Sequence, residues 1–327
     1  MKYVTLPDTA IRKLPFYLTM EEYVAAHHVE KHGDLFFMWQ VNPTVIFGRN
    51  QLIEREVDMD YCRQHGIETY RRRSGGGCVF ADQSNIMFSY ITASGSDVAT
   101  TFEHYTSMVA EMLRSLGLEA SHTGRNDILI GDRKVSGNAF YHLPGRSIVH
   151  GTMLYDTDMA HMLHAITPSK SKLDAKGVAS VSSHITTLRQ HITLDIEQFK
   201  TYARRHLCGD EELSLSRRDV ERITEMSKPY YSPRWIMGHS PKGAFTVHRR
   251  VEGAGEFQVT LDIAAGVIRS INLGGDFFLL SDIDSQLLAP LEGIQYSRSS
   301  IEKAIGPLDV SKIIHGLSTQ DFINLLF

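Results

Sequence analysis

The sequence predicts an α+β protein: a mixed, largely antiparallel sheet flanked by helices, followed by a small α+β C-terminal domain. Three observations lead to this class. Strand-like and helix-like segments are mixed without the regular strand–helix–strand rhythm of parallel α/β proteins. The two-residue link of Gly131 and Asp132 between two alternating runs is typical of a tight antiparallel hairpin. From residue 244 onwards, three alternating runs follow one another directly.

Helical periodicity and helix-end signals predict the helices. The first covers residues 19–31, with Thr19 as its N-cap and Gly33 just past its end. In the last predicted helix, residues 318–327, Ser318 and Asp321 resemble a capping box. The remaining helical patterns lie at residues 99–116, 156–166, 195–226 (two helices) and 299–306.

Runs rich in β-branched and aromatic residues predict the strands. Residues 35–40 and 44–48, separated by Asn42 and Pro43, indicate an early hairpin. The other predicted strands are 78–80, 85–92, 127–130, 133–136, 147–155, 244–251, 256–263 and 267–273. Three prolines between residues 229 and 241 interrupt any regular pattern, so we expect a domain boundary there. The two predicted domains are residues 1–243 and 244–327.

Composition limits the class of protein. A chain of 327 residues suggests about two domains, and 42% hydrophobic with 22% charged residues is typical of globular proteins. A net charge of −4 argues against nucleic acid or an anionic membrane as partner. The start lacks a secretory leader pattern and no long apolar run follows, so we expect a cytoplasmic protein. Cys62, Cys78 and Cys208 are widely spaced, which indicates reduced thiols.

The segment from residue 71 to 82 reads RRRSGGGCVFAD. Glycines let the backbone turn sharply and let a ligand approach its N–H groups, while arginine offers a fixed fork to carboxylate or phosphate. The segment therefore predicts an anion cradle, although it matches neither the P-loop nor the dinucleotide-binding pattern. An ordinary glycine turn beside a solvated basic run is an equally open alternative.

A second segment, residues 124–139, alternates around the Gly131 and Asp132 turn. The two-residue strand period predicts that Lys134 and Ser136 share one face, opposite Val135. A lysine there could point into a cleft. The alternative is a solvent-facing lysine that protects an edge strand.

Five motifs in one order carry a family resemblance: RRRSGGG, NIMFSYI, GRNDILIGDRKVSGNA, HGTML and PSKSKLDAKGV. Trp39 and the run TVIFGRNQ at residues 44–51 match as well. With these motifs the chain resembles the lipoate-protein ligases of the biotin/lipoate ligase superfamily. The resemblance is strong over residues 10–190 and looser in the C-terminal part, which resembles the family's small accessory domain.

The resemblance implies a two-step reaction. Lipoate attacks the α-phosphate of ATP to give lipoyl-adenylate, and a lysine of an acceptor protein then attacks the acyl carbon. It implies ATP and Mg²⁺ as cofactors and lipoic acid as substrate. The implied partners are lipoyl-domain proteins, namely the E2 subunits of 2-oxoacid dehydrogenases and the glycine cleavage H protein.

The resemblance also implies roles for particular residues. Lys134 matches the family's lysine that contacts the acyl carbonyl and phosphate oxygens, and is the expected catalytic residue. Asp127 is the expected Mg²⁺ ligand, because Mg²⁺ prefers carboxylate and phosphate oxygens. The implied lipoate contacts are Trp39, Arg72, Ser74, Gly75, Gly76, Val79, His150 and Gly151. The implied ATP or adenylate contacts are Gly77, Cys78, Asn126, Asp127, Lys134, Ser136, Gly137, Lys172, Lys176 and Gly177.

Some positions depart from the family pattern and leave alternatives open. Ala81 stands where histidine is common, Cys78 where alanine is common, and Ser182 and His184 where arginines are common. Cys78 keeps open an ATP-independent octanoyl or lipoyl transferase that works through a cysteine thioester. A non-catalytic acyl-adenylate binding protein and a biotin-ligase-like enzyme are further alternatives. For Trp39, a plain core position is as open as a place in the lipoyl tunnel.

Overall fold

The computed structural model describes residues 1–51, 53–93, 98–122, 126–166, 184–236, 245–264 and 266–327. The chain divides into two compact units. The first comprises residues 1–46, 54–70 and 78–236, and the second comprises 47–53, 71–77 and 237–327. Two short N-terminal segments, one of them holding the triple glycine, thus group with the C-terminal part. The predicted boundary between residues 243 and 244 lies outside the described residues and stays a prediction.

The strands, in chain order, are β1 Lys2–Thr5, β2 Leu35–Trp39, β3 Thr44–Phe47, β4 Glu68–Arg71, β5 Val79–Ala81, β6 Ile86–Thr92, β7 Ala120–His122, β8 Asp127–Ile130, β9 Arg133–Leu143, β10 Arg146–Met153, β11 Glu212–Ser214, β12 Phe245–Val251, β13 Gly255–Ala264 and β14 Val267–Phe277. Eight of them form one sheet in the order β11-β1-β2-β6-β10-β9-β8-β7. β1 pairs in parallel with β2 and β11, and the other pairs are antiparallel. The predicted mixed, largely antiparallel sheet is confirmed.

The α-helices are α1 Leu14–His27, α2 Val29–His32, α3 Ile53–Glu56, α4 Met59–Gln64, α5 Val98–Arg114, α6 Met159–Ala165, α7 Ile196–Cys208, α8 Arg217–Met226, α9 Pro233–Ile236, α10 Arg298–Ile305 and α11 Thr319–Leu325. Short 3₁₀ turns and one π turn connect several of them. None of the helices in the described ranges is long and apolar enough to cross a membrane.

The first helix begins five residues earlier than its periodicity predicts. α1 starts at Leu14, with Pro15 in its first turn, and most of its side chains are buried. Thr19 lies inside the helix, where its hydroxyl donates to the Pro15 carbonyl oxygen, so it is not the N-cap. A helix buried nearly all round has no polar face, and its start is therefore hidden from pattern analysis.

The early hairpin prediction is wrong. β2 and β3 belong to different sheets: β2 pairs with β1 and β6, whereas β3 is the middle strand of a small sheet with β4 and β5. The reason lies in the residues of β2, which are apolar on both strand faces. Such a strand is stabilised in the middle of a sheet with both faces covered, not at the exposed edge of a hairpin.

Helices cover both faces of the eight-stranded sheet. On one face, Tyr17 of α1 stacks on Trp39 of β2 with ring centroids 4.8 Å apart. On the opposite face, Tyr105 of α5 stacks on Tyr90 of β6 at 5.8 Å. Because neighbouring strand residues point to opposite faces, each strand contributes side chains to both layers. The face under α1 is the one that carries the candidate site.

The second unit has its own core beneath the sheet of β12, β13 and β14. Phe257, Val259 and Leu261 alternate along β13 into this core, which α10 and α11 close from below. Ser318 accepts a hydrogen bond from the Asp321 N–H at the start of α11, in agreement with the predicted cap. The helix and strand types predicted for this region are confirmed.

Phe277 gives a test of the second core. Its ring is fully buried and stacks on Phe257 at 4.9 Å, whereas Phe327 is 40% exposed. Phe277→Ala is expected to lower the free energy of unfolding by about 3–5 kcal/mol, because it leaves a cavity. Phe327→Ala, the matched control, is expected to cost less than about 1 kcal/mol. Urea denaturation of the two variants measures the difference, and equal losses would contradict this description of the core.

Candidate active site

A row of directly opposed residues crosses four neighbouring strand pairs of the large sheet. Trp39 lies opposite Met87, Met87 opposite Thr152, Thr152 opposite Gly137, and Gly137 opposite Asp127. Opposed residues of antiparallel strands point to the same sheet face. Four strand spacings of about 4.8 Å give this cross-strand row a length of roughly 19 Å. It therefore joins an aromatic end to a charged end on one face of the sheet.

A β-bulge determines where Lys134 points. Leu129 pairs with Lys134 and Ile128 pairs with Ser136, which leaves Val135 as an extra residue in β9. Leu129 lies two residues from Asp127 on β8, so Lys134 lies on the face of the cross-strand row. Ser136 lies on the opposite face. The prediction that Lys134 and Ser136 share a face is therefore wrong, because the strict two-residue period is interrupted at Val135.

The Lys134 ammonium lies at the charged end of the row. Its Nζ is 2.6 Å from Oδ1 of Asp127, and the two side chains are 34% and 29% exposed. A Cβ atom built on Gly137 would lie 2.8 Å from both Cε and Nζ of Lys134. The lysine side chain thus lies directly over the glycine. Lys134, Asp127 and Gly137, all predicted site residues, are brought together.

The backbone of Lys134 is also fixed. Its N–H donates to the His184 carbonyl oxygen at 2.8 Å, and its carbonyl oxygen accepts from the Thr186 N–H at 2.8 Å. These residues follow the lysine-rich segment of the sequence. The predicted contacts in that segment, Lys172, Lys176 and Gly177, lie outside the described residues, as does Ser182.

A buried hydrogen-bond network lies next to the aromatic end of the row. Glu21 of α1 is fully buried, and its carboxylate accepts from the Ser89 hydroxyl at 2.5 Å. The Ser89 hydroxyl in turn accepts from the Trp39 indole N–H at 2.9 Å. His150 Nδ1 is 2.9 Å from the second Glu21 carboxylate oxygen, and the Tyr141 hydroxyl is 3.5 Å from it. A buried carboxylate needs such partners, and here they fix the orientation of the indole.

Glu21, Ser89 and Tyr141 were missed by the sequence analysis. The available signal was the spacing of Glu21, four residues after Tyr17 on the helix, which puts both side chains on one helix face. Tyr17 stacks on Trp39, so this face covers the row. An acidic residue in an otherwise apolar helix face is a candidate for a buried polar role.

Three predicted residues lie away from the row. Ser136 and Asn138 point to the opposite sheet face, where the Ser136 hydroxyl is 3.3 Å from Asn138 Oδ1. Gly151 lies directly opposite Asn138, and a Cβ there would come within 1.9 Å of Asn138 Oδ1. The Asn126 carbonyl oxygen accepts from the Asn138 N–H at 2.9 Å. Ligand contacts of Asn126, Ser136 and Gly151 stay predictions.

The arginine–glycine segment belongs to the second unit. Arg72 is 5% exposed, and its guanidinium donates to Ser74 Oγ at 2.9 Å, to the Gly75 carbonyl oxygen at 2.6 Å and to the Gly77 carbonyl oxygen at 2.8 Å. Arg71 binds three other carbonyl oxygens in the same way. Arg72 therefore shapes the glycine turn from inside, a structural role added to its predicted contacts with lipoate, whereas Arg71 holds the segment of residues 48–51.

The glycines of this segment are required by close packing within the second unit. The Gly76 N–H donates to the Phe277 carbonyl oxygen at 2.9 Å, and Gly76 has a φ of +85°. A Cβ on Gly75 would come within 2.3 Å of the same carbonyl oxygen. One on Gly77 would lie 3.1 Å from Asp276 Oδ2. A side chain at Gly75 would displace β14, whatever the ligand.

Cys78 and Val79 connect this segment to β5. Both are half-buried, and Val79 packs against the core under α1, which is compatible with its predicted contact with lipoate. Ala81, at the position where histidine is common in the family, is fully buried opposite Thr44.

Comparisons with known proteins agree with this architecture. The lipoyl protein ligase A/B catalytic domain matches residues 14–208, and the bacterial lipoate protein ligase C-terminus matches residues 240–326. A lipoate-protein ligase of Bacillus subtilis is 32% identical over 95% of this chain and 96% of its own length. Lipoate–protein ligase 1 of Staphylococcus aureus is 32% identical over 94% of this chain and 95% of its own length.

Solved structures share the fold. A P. falciparum protein in complex with lipoate has a TM-score of 0.78 at 17% identity, covering 99% of this chain and 97% of that one. A lipoate-protein ligase A bound with ATP has a TM-score of 0.61 at 22% identity, covering 72% and 98%. A two-part archaeal ligase from Thermoplasma acidophilum, described with its E2 lipoyl domain, has a TM-score of 0.66 at 22% identity, covering 75% and 98%.

The chain thus shares the α+β fold of these lipoate-ligase structures, with a small C-terminal domain. Given the two family matches and the two relatives at 32% identity, the chain belongs to the lipoate-protein ligase family and is an enzyme of that family.

The three thiols give a test of the burial of their side chains. Burial raises the pKa of both the Cys62 and the Cys208 thiol to about 11, whereas Cys78 is half-buried. Because the thiolate is the reactive form, an alkylating reagent at pH 8 is expected to modify Cys78 at least about tenfold faster than either buried thiol. Mass spectrometry of the native chain measures the three rates. Equal modification of Cys62 and Cys78 would contradict the described burial.

Proposed function

We propose that this chain activates lipoate with ATP to lipoyl-adenylate and transfers the lipoyl group to a lysine of an acceptor protein. The observation that carries the proposal is the cross-strand row, which has Trp39 at one end and the Lys134–Asp127 pair at the other. A ligand with an apolar tail and an anionic head fits that distribution. Membership of the family, an ATP-bound relative in fold and a lipoate-bound one support the same reaction.

The apolar tail is assigned to the aromatic end. Trp39 and Met87, 4% and 5% exposed, are the apolar side chains of that end, and Tyr17 stacks against the indole. Each methylene buried against such a surface contributes about 0.8 kcal/mol of binding free energy. The Glu21 network next to it holds the indole in one orientation, which gives the tail end of the site a fixed shape.

The reacting atoms are assigned to the Lys134 end. In the first step the lipoate carboxylate attacks the α-phosphorus and pyrophosphate leaves. In the second step the acceptor's amine attacks the acyl carbon, AMP leaves, and the amine gives up a proton. In the first step negative charge builds on the non-bridging oxygens of the α-phosphate and on the departing pyrophosphate. In the second step it builds on the acyl oxygen and on the oxygen that leaves with AMP. The α-phosphate oxygens and the acyl oxygen all lie at the acyl–phosphate junction. An ammonium fixed at that point stabilises this charge more than it stabilises the substrates.

The residues at this end fit a magnesium ion. Asp127 offers one carboxylate, and Mg²⁺ is commonly held by one or two carboxylates together with substrate phosphates. The ion would neutralise phosphate charge. Asp127 is the residue that we propose would hold it. Among the described residues, no cluster of three or more histidine, cysteine, aspartate or glutamate side chains is arranged for a metal held by protein alone.

Lipoyl-domain proteins are the proposed acceptors, specifically E2 subunits of 2-oxoacid dehydrogenases and the glycine cleavage H protein. The T. acidophilum ligase described with an E2 lipoyl domain supports this class. These acceptors agree with the expected cytoplasmic location. We propose no nucleic-acid or membrane partner.

Lys134→Ala tests the reaction. The variant is expected to lose about 10²–10³-fold in the rate of pyrophosphate release from ATP, Mg²⁺ and lipoate, because the charge at the reacting oxygens is no longer stabilised. Arg133→Ala removes the neighbouring cation on the same strand and is the matched control, expected to react at close to the wild-type rate. Circular dichroism verifies that both variants are folded.

Three outcomes of these assays would contradict the proposal. A folded Lys134→Ala variant that releases pyrophosphate at the wild-type rate refutes the role of the lysine. Wild-type chain that transfers an acyl group without ATP, with a thioester on Cys78, supports the transferase alternative. Wild-type chain that binds lipoyl-adenylate but releases no pyrophosphate supports the non-catalytic alternative.

Chain-length dependence tests the aromatic end. Each methylene removed from a straight-chain acid is expected to raise its apparent KM about fourfold, because about 0.8 kcal/mol of burial is lost. Trp39→Ala is expected to shift the preference towards longer acids, since it enlarges that end. Trp235→Ala, which removes the second tryptophan of the same unit, is the control. Identical length profiles for wild type and Trp39→Ala would contradict the assignment.

A further inference from the structure

The glycine at position 137 is not required by its own backbone. Gly137 is absent from the glycines with positive φ, so an alanine could adopt its conformation. The Cβ of an alanine would clash with the end of the Lys134 side chain, because Cε and Nζ would both lie 2.8 Å from it. Its next neighbour, Thr152 Oγ1, is 3.9 Å away, an ordinary contact. Among the described residues, the missing side chain therefore makes space for the end of the Lys134 side chain.

Asp127 holds the amine over this space from the neighbouring strand. It lies directly opposite Gly137, and its carboxylate is 2.6 Å from Lys134 Nζ. Both side chains are about one-third exposed, and the Asp127 Oδ1 atom that contacts the amine is itself buried. An ion pair in such a position contributes little net stability, so a ligand can replace the carboxylate at low cost.

We propose that Gly137 and Asp127 are positioning residues for Lys134: the glycine leaves the space over which the amine lies, and the aspartate is a resident counter-ion that the anionic oxygens of the acyl-adenylate replace. The inference rests on the proposed function for the role of Lys134 in the reaction. It assigns Gly137 a role different from the direct adenylate contact expected from the sequence. No bond is formed or broken in this exchange.

Ligand binding gains from this arrangement in two ways. The amine is already on the correct sheet face and over a fixed point of the row, so binding orders fewer side-chain torsions. The released Asp127 carboxylate then becomes available at the moment when phosphate oxygens arrive, and it can share Mg²⁺ with them. On ligand binding, Lys134 would thus exchange the Asp127 carboxylate for ligand oxygens, while Asp127 would exchange the amine for Mg²⁺.

Amine labelling tests the position of Lys134 without using activity. With a limiting amount of acetic anhydride, Lys134 in the ligand-free chain is expected to react several-fold faster in Gly137→Ala, because the new methyl group expels the amine into water. Asp127→Asn is expected to raise the rate in the same direction without introducing a clash. Asp132→Asn makes the same charge change at the exposed hairpin turn and is the matched control. Lys312, 81% exposed, is the internal reference.

A double-mutant cycle tests the role in the reaction. Gly137→Ala is expected to lower the rate of pyrophosphate release nearly as far as Lys134→Ala does, and the double variant is expected to be no slower than Lys134→Ala alone. Independent losses that multiply would show that Gly137 acts without the lysine. Unchanged Lys134 labelling in both Gly137→Ala and Asp127→Asn would overturn the proposal. If Gly137→Ala does not fold, the Asp127→Asn and Asp132→Asn comparison still decides the role of Asp127.

The two proposals fail in different ways. If wild-type chain releases no pyrophosphate with ATP, Mg²⁺ and lipoate, the proposed function is wrong, while the labelling result still decides the placement of the amine. If wild-type chain is active and Lys134→Ala is inactive, yet Gly137→Ala and Asp127→Asn behave like wild type in both assays, only the positioning inference is wrong.

Discussion

The extra residue at Val135 determines the face of the sheet on which Lys134 lies, and the proposed chemistry depends on that face. Without the bulge, strand alternation would place the Lys134 side chain on the sheet face that points towards α5. With it, the lysine joins Asp127 and Gly137 on the face that also carries Trp39. A single insertion in an antiparallel pair thus aligns the charged end of the site with its aromatic end, a use for which bulges are well suited.

The aromatic end depends on a different constraint, the burial of one carboxylate. Glu21 is fully buried and has hydrogen-bond partners on β6, β9 and β10. Removing one partner would leave a buried acceptor unsatisfied, at a cost of about 1–3 kcal/mol. A substitution of a Glu21 partner on any one of these three strands is therefore expected to disturb the whole network. Its effect is to fix the Trp39 indole, through Ser89, at the end of the row.

The fold class is predictable from the sequence because the signals for its turns, strands and helix caps are local. Gly131 adopts a positive φ of 61° in the tight turn between β8 and β9, as a two-residue link with glycine first requires. Strand alternation in β13 and the cap at Ser318 are local signals of the same kind. The start of α1 was missed because a helix buried nearly all round has no polar face to reveal its period.

The features that the sequence does not predict depend on contacts between residues that are far apart in the chain. The bulge at Val135 is visible only in the register with β8, and the pairing of β2 and β3 depends on which sheet each strand joins. The sequence predicts an anion cradle at the triple glycine, and the structure adds packing against Phe277, some two hundred positions away in the chain. Resemblance to the family supplied the site residues, but not the sheet face on which each of them lies.

A crystal structure of the chain with a non-hydrolysable lipoyl-adenylate analogue tests the central claim most directly. We predict that the lipoyl tail lies along the cross-strand row with its end at Trp39, and that Lys134 Nζ contacts the oxygens at the acyl–phosphate junction. A ligand bound on the sheet face under α5, or one whose junction lies beyond hydrogen-bonding reach of Lys134 Nζ, would contradict it.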